Sequence, residues 1–325
     1  MNDTQAGIRF ASAEQFQREI ALTINIRCKS MDNEKIFIIG AGMMGYGISR
    51  IAAENGLHAV VYDAFPAMLE SCRQKLEEAF AKQVKKGAIK PEEKTAFMER
   101  IAFTEKLEDA ASCKFVIEAI VEKKEIKMEF FRKLNDICTP DTIIATNTSS
   151  IPITELAVAV NNPSRFVGTH FFSPTSVRTL VEIICGLKTN DATLQKATDM
   201  MLRLKRDPVM VKDGPGFLVN RINNALRLEA FKCVQEGVAT LEDIDKALRL
   251  GLGHSMGVFE QMDFTGLDSA LMVEETLWEG FRSDKWNPPT MLRKMVASGE
   301  YGQKTKGGWY DYSTGEKRPR KDLKL

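Results

Sequence analysis

"IFIIGAGMMGYGIS", residues 36–49, sets a short apolar run against three glycines spaced Gly40-x-Gly42-x-x-Gly45. The run before Gly40 reads as a buried strand, and the residues after Gly45 recur at helical spacing. In such a strand–turn–helix unit each glycine has its own task. The first permits a tight turn, the second lets the backbone approach a pyrophosphate, and the third lets the helix pack closely on the strand. The helix N-terminus, with Met43 and Met44 in its first turn, then faces the phosphates. Asp63 closes the next β-like run, "HAVVYD", 18 residues after Gly45. A carboxylate there binds a ribose 2′-hydroxyl and repels a 2′-phosphate, so the expected cofactor is NAD rather than NADP. FAD shares the glycine pattern, but no second flavin-type signal accompanies it here.

Outward from this unit, β-rich runs alternate with helical ones. Pro66 to about Glu99 reads as one long charged helical region, "KFVIEAIVE" (114–122) and "TIIATN" (142–147) as strands, and "IKMEFFRKLNDIC" as a helix between them. This alternation implies an α/β fold, a doubly wound, mostly parallel sheet of Rossmann type. "RFVGTHFF" (165–172), "LVEII" (180–184) and "DPVMVKD" (207–213) extend it. The first two lie close enough for a hairpin-like, antiparallel addition. After "KDGPGF" almost everything reads as helix until the tail. In "TLEDIDKALRLGLG", Thr240 stands as N-cap with Asp243 three residues on, and the run ends in glycine. The expected organisation is a loose extension over 1–30, a nucleotide-binding domain over 31–213 and an all-helical C-terminal domain over 214–325.

Composition narrows the class of partner. The 325 residues are 44% hydrophobic and 27% charged with a net charge of +1, which argues against nucleic acid or an anionic membrane as the main partner. The six cysteines form no C-x-x-C pair and no Cys/His cluster, so no metal site is expected, and a reducing, cytoplasmic compartment suits them. No apolar run approaches the ~20 residues that span a bilayer. Arg9, Arg18 and Arg27 in the extension hint at an organelle transit peptide, such as one for the mitochondrial matrix, while Asp3, Glu14 and Glu19 argue against one.

An alcohol dehydrogenase needs a group that takes the hydroxyl proton as hydride leaves carbon. None of the five tyrosines has a lysine four residues later, and the Cys/His spacing supports no zinc, which leaves histidine with a supporting carboxylate. His58 opens the second strand, and His254 lies in a glycine-rich part of the helical region. His170 ends a β-like run, and Glu182 interrupts the next one. A buried carboxylate without a partner is costly, and the hairpin-like spacing brings either His170 or Arg178 within reach of Glu182.

Taken in order, "GAGMMGYGI", "VIEAIVEKKEIKMEFF", "ATNTSSIPITELA", "GTHFFSP…LVEII", "KDGPGFLVNRI", "EDIDKALRLGLGHSMGVFEQMDFTGLD" and "YGQKTKGGWYDY" closely resemble the 3-hydroxyacyl-CoA dehydrogenase family from about Lys35 to Tyr312. The resemblance implies NAD-dependent oxidation of an (S)-3-hydroxyacyl-CoA, short-chain in the manner of 3-hydroxybutyryl-CoA. It implies His170 as catalytic base with Glu182 as its carboxylate partner, Ser149 as a serine that contacts substrate and cofactor, and Asn220 as the active-site asparagine. Glu122 and Lys127 match positions that line the cofactor, and Lys86 matches a basic position at the CoA moiety. A homodimer through the helical domain is likewise implied by the resemblance alone.

The chain departs from the family at Ser173, where an asparagine that contacts cofactor and substrate is usual. The following "TSVRTL" is more polar than the usual turn, and Arg178 within it suits an extra acidic group on the substrate. These departures leave open a relative that acts on a non-CoA or more acidic hydroxy substrate. A protein that binds NADH without turnover fits less well with the retained His170, Glu182 and Asn220.

Overall fold

The structure, a computed structural model, describes residues 35–320 together with Asp322 and Leu323. The extension expected over 1–30 lies outside the described residues. The chain forms two compact units: residues 35–148 with Leu156–Met210, and Ser149–Glu155 with the chain from Val211 on.

In the first unit β1 (Lys35–Ile39), α1 (Met43–Glu54), β2 (His58–Tyr62), α2 (Pro66–Lys85), α3 (Pro91–Glu99), β3 (Ile101–Thr104), β4 (Phe115–Glu118), α4 (Lys124–Ile137), β5 (Ile143–Thr146), β6 (Phe166–Phe171), β7 (Leu180–Cys185), α5 (Asp191–Arg203) and β8 (Asp207–Lys212) follow one another. The sheet runs β3-β2-β1-β4-β5-β6-β7-β8. β1 pairs in parallel with both β2 and β4, so the strand order reverses beside it, and the carboxyl ends there form the crevice where such sheets take ligands. β4, β5 and β6 continue in parallel, and β7 returns antiparallel to β6 as expected. Four-residue strands suffice because both faces are covered: β4 and β5 are buried throughout. Ile36 and Ile38 face a core with Ile48, Phe80 and Val167, while Phe131 meets Phe166 edge-on at 4.9 Å.

Three details differ from the sequence reading. The charged region from Pro66 is two helices, broken where Gly87 turns left-handed (φ 68°) and Pro91 starts α3. Phe80 and Phe97 then pack across the pair at 5.3 Å. β3 was not separable from that region, because only its first residue is buried and no alternation marks it. The strand read over 114–122 stops at Glu118, whose side-chain oxygen accepts the Ile120 amide at 2.8 Å and turns the chain out of the sheet.

The second unit holds α6 (Val219–Gln235), α7 (Leu241–Leu252), α8 (Val258–Thr265), α9 (Leu267–Phe281) and α10 (Thr290–Ala297). Thr240 caps α7 by accepting the Asp243 amide at 3.2 Å, and Gly253 ends that helix at φ 72°. Phe231, Phe259 and Trp309 meet pairwise at 5.3–5.6 Å in its core. The buried Asp263 carboxylate accepts the Trp309 and Tyr310 amides at 2.9 Å each, which fastens the tail to α8. Ser149–Glu155 belongs here because Asp213 accepts the Ile153 and Thr154 amides at 3.0 and 2.7 Å. Among the described residues no helix is long and apolar enough to cross a membrane, and no cluster of potential ligands is set to hold a metal ion.

Candidate active site

The glycine turn is built as a phosphate cradle. Gly40 sits at φ 106°, and a side chain there would lie 2.6 Å from the Ala119 carbonyl. A Cβ on Gly45 would collide with the Gly40 carbonyl, so the helix packs on the turn only with glycine at this position. Beside Gly42, in contrast, nothing lies within 4 Å of where a Cβ would stand. That open face, at the N-cap of a helix without acidic residues in its first turn, fits the approach of a pyrophosphate. Met43 is exposed and Met44 half-buried. Asp63 stands just past β2, its Oδ2 accepting the Ala41 amide at 2.9 Å and its Oδ1 the Phe65 amide at 3.0 Å. The carboxylate is thereby fixed beside the turn with lone pairs left for ribose hydroxyls.

A buried polar network continues this edge. Lys127 Nζ, almost wholly buried, stands 2.6 Å from Glu118 Oε1 and 3.1 Å from Glu122 Oε2. Glu118 also accepts the Thr146 hydroxyl at 2.6 Å, and Glu122 the Thr148 hydroxyl at 2.5 Å. Lys127 therefore holds two carboxylates in place, and Glu122, partly exposed, is the member that meets solvent. Sequence reasoning missed Glu118. Its position as the last residue of a fully buried strand is the signal that would have found it, since a charge there needs a partner nearby.

His170 and Glu182 stand directly opposite in the β6–β7 register, with Nδ1 2.7 Å from Oε2. Glu182 is fully buried and His170 nearly so, and the Phe172 ring lies 4.4 Å from the imidazole. Of the two candidate partners for Glu182, His170 is thus the one placed against it. Arg178 is exposed on the connecting loop, and its carbonyl accepts from Arg206 at 3.3 Å.

That loop reaches the nucleotide turn. Ser173 Oγ lies 3.7 Å from Met43 Sδ. Thr175 packs so tightly on α1 that a Cβ on Gly47 would collide with its side chain. Arg206 Nη1 donates to the Thr175 carbonyl at 2.8 Å and pins the loop from below. Gly47, two residues beyond the third glycine of the fingerprint, escaped the sequence reading because the motif assigns it no role.

Ser149 and Asn220 come together in the second unit, where Asn220 Nδ2 donates to the Ser149 carbonyl at 2.9 Å. Lys86 caps α2 and lines an open groove of about 400 Å³ with Tyr46, Arg50, Lys75 and Lys82. Arg50 is paired with Glu54 at 2.9 Å, and Lys75, Lys82 and Lys86 against the carboxylate of Glu78 still give that groove a surplus of positive charge.

Residues 35–214 match the NAD binding domain of 3-hydroxyacyl-CoA dehydrogenase, and residues 216–312 its C-terminal domain. A probable 3-hydroxybutyryl-CoA dehydrogenase of Deinococcus radiodurans is 42% identical over 86% of this chain and 100% of its own. The 3-hydroxybutyryl-CoA dehydrogenase of Bradyrhizobium diazoefficiens is 41% identical over 86% of this chain and 95% of its own. The crystal structure of (S)-3-hydroxybutyryl-CoA dehydrogenase from Ralstonia eutropha superposes with a TM-score of 0.84 at 36% identity, over 86% of this chain and 99% of that one. With both domains matched in order, and with a dinucleotide cradle and a His–Glu pair in the first, the chain belongs to the 3-hydroxyacyl-CoA dehydrogenase family.

Proposed function

We propose that this NAD-dependent 3-hydroxyacyl-CoA dehydrogenase acts reversibly on short-chain (S)-3-hydroxyacyl-CoA, of which 3-hydroxybutyryl-CoA is the type, with His170 as its general base. The observation that carries the assignment is the His170 Nδ1 to Glu182 Oε2 contact of 2.7 Å between facing strand residues. With Nδ1 donating to the carboxylate, Nε2 presents the lone pair that takes the 3-hydroxyl proton. Glu182 orients the ring and stabilises the imidazolium that forms, and in the buried setting that interaction is strong.

NAD, when bound, would supply the hydride acceptor for C3. The chain's own part is to hold and orient. The backbone from Gly40 to Gly45 and the α1 N-terminus receive the pyrophosphate, and Asp63 receives the ribose hydroxyls. Glu122, fixed by Lys127 and Thr148, together with Ser173 lines the cofactor nearer the reacting end. Ser149 and Asn220, joined by their hydrogen bond, position the hydroxyl and the thioester. The basic groove at Lys86 suits the phosphates of the CoA moiety.

The test is oxidation of NADH by acetoacetyl-CoA, set against acetoacetate. The thioester is expected to turn over with kcat/KM about 100-fold or more above the free acid, because remote binding energy from CoA is used at the reacting carbon. Equal or faster turnover of the acid would assign the chain to a non-CoA hydroxy substrate.

A further inference from the structure

The turn that leaves β4 borders the glycine cradle. A Cβ on Gly40 would stand 2.6 Å from the Ala119 carbonyl, and the Ala119 amide donates to the Ile39 carbonyl at 2.8 Å. Glu118, the last residue of β4, shapes this turn from inside the sheet. Its Oε1 accepts the Ile120 amide at 2.8 Å and Lys127 Nζ at 2.6 Å, while its Oε2 accepts the Thr146 hydroxyl at 2.6 Å. With three donors satisfied and the residue fully buried, Glu118 is out of reach of a ligand.

Charge decides what it does there. Lys127 brings one positive charge to two carboxylates, Glu118 and Glu122, which leaves one negative charge in excess. The shorter contact, 2.6 Å against 3.1 Å, and the complete burial of Glu118 pair the lysine mainly with Glu118. The excess therefore falls to Glu122, the partly exposed member, which the Thr148 hydroxyl holds at 2.5 Å. Without the charge on Glu118, the buried ammonium would have Glu122 alone to balance it. An uncompensated buried charge is costly enough to draw that carboxylate inward.

We infer that Glu118 is a positioning residue for the cofactor: by taking up the charge of Lys127, it keeps the excess negative charge on Glu122, where a ribose hydroxyl of the cofactor donates to it. The inference rests on the proposed place of Glu122 along the cofactor. It gives Glu118 no contact with cofactor or substrate, and its action runs through Lys127 and Glu122.

The test is a double-mutant cycle on the full chain, read as NADH affinity by fluorescence titration without substrate. Glu118→Gln keeps the shape and an acceptor for the Ile120 amide but removes the charge. It is expected to weaken NADH binding by about 10-fold, the scale of one hydrogen bond to a charged group. With acetoacetyl-CoA and saturating NADH, kcat should stay within about 3-fold, as for a loss of uniform binding. Glu122→Gln should weaken NADH by a like factor. On that background Glu118→Gln should change affinity by less than about 2-fold, because the carboxylate it acts through is gone. Thr146→Val removes one donor to Glu118 and gives the same dependence on background if Glu118→Gln fails to fold. Unchanged affinity in Glu118→Gln, or an equal loss on both backgrounds, overturns the inference and makes the residue a structural one. Glu122→Gln binding NADH as tightly as the wild type overturns it too, by taking Glu122 away from the cofactor. Failure of the wild type to reduce acetoacetyl-CoA removes the proposed substrate, while the affinity cycle still decides the role of Glu118.

Discussion

Glu182 faces His170 across the antiparallel β6–β7 pair, its Oε2 2.7 Å from Nδ1, and neither side chain is free to leave because both are buried in the sheet. Strand packing, rather than loop contacts, sets the geometry of this pair. Glu182→Gln keeps the shape and removes the charge that supports the imidazolium. It should fold and bind NADH as the wild type does, while kcat falls by about 10²–10³-fold. Loss of NADH binding, read by fluorescence titration, would mark the residue as structural instead.

Asp63 anchors the glycine turn through the Ala41 and Phe65 amides, and the proposed function sets its carboxylate against the cofactor ribose. Asp63→Asn retains an acceptor for the Ala41 amide but loses the negative charge that opposes a 2′-phosphate. The ratio of kcat/KM for NADH over NADPH should fall by about 10-fold or more, in line with the cost of like-charge contacts. An unchanged ratio would place cofactor discrimination elsewhere.

Gly47 is the contact point between α1 and the loop that carries Ser173. Gly47→Ala forces its Cβ into Thr175 and should cost about 1–3 kcal/mol, the usual range for overpacking. Thr175→Ala in the same chain removes the Oγ1 and Cγ2 atoms that clash and should recover most of the loss. Thermal unfolding of the two variants decides the matter, and a single variant as stable as wild type would contradict the packing described.

Glu274 links stability to pH. Its carboxyl is raised by burial from the ordinary 4.5 to about 7, so the folded chain holds a proton that the unfolded chain has released. Its contribution is fully present below 4.5 and is lost as pH rises toward 7. Asp263, raised by burial from 3.8 to about 6, adds a slope of the same sign over a lower range. Glu274→Gln should therefore gain on the wild type between pH 5 and pH 8 in urea midpoints. A gap that stays constant over that range would show that the group does not titrate there.

Much of this was legible in the sequence because local rules and tertiary structure agree. Gly40, Gly42, Gly45 and Asp63 lie in one βαβ unit, where turn, helix and strand end are neighbours along the chain. The His170–Glu182 pair was legible to within one alternative because a two-strand hairpin has a fixed register. Other residues were not legible, each for a physical reason. Glu118 and Lys127 meet only when α4 folds back on β4, and Gly47 matters only because Thr175 returns from 128 residues away. The polar face of α6 carries no spacing that separates a solvated helix face from a buried one, so Arg227 and Glu274 emerged from burial alone.

The account depends most on His170 as the proton acceptor, and single-turnover reduction of acetoacetyl-CoA by NADH in His170→Gln tests it directly. The predicted result is a chemical step slowed by about 10²–10⁴-fold with NADH affinity retained. A rate within a few-fold of wild type would contradict the assignment of His170 and, with it, the reading of the His–Glu pair as the catalytic centre.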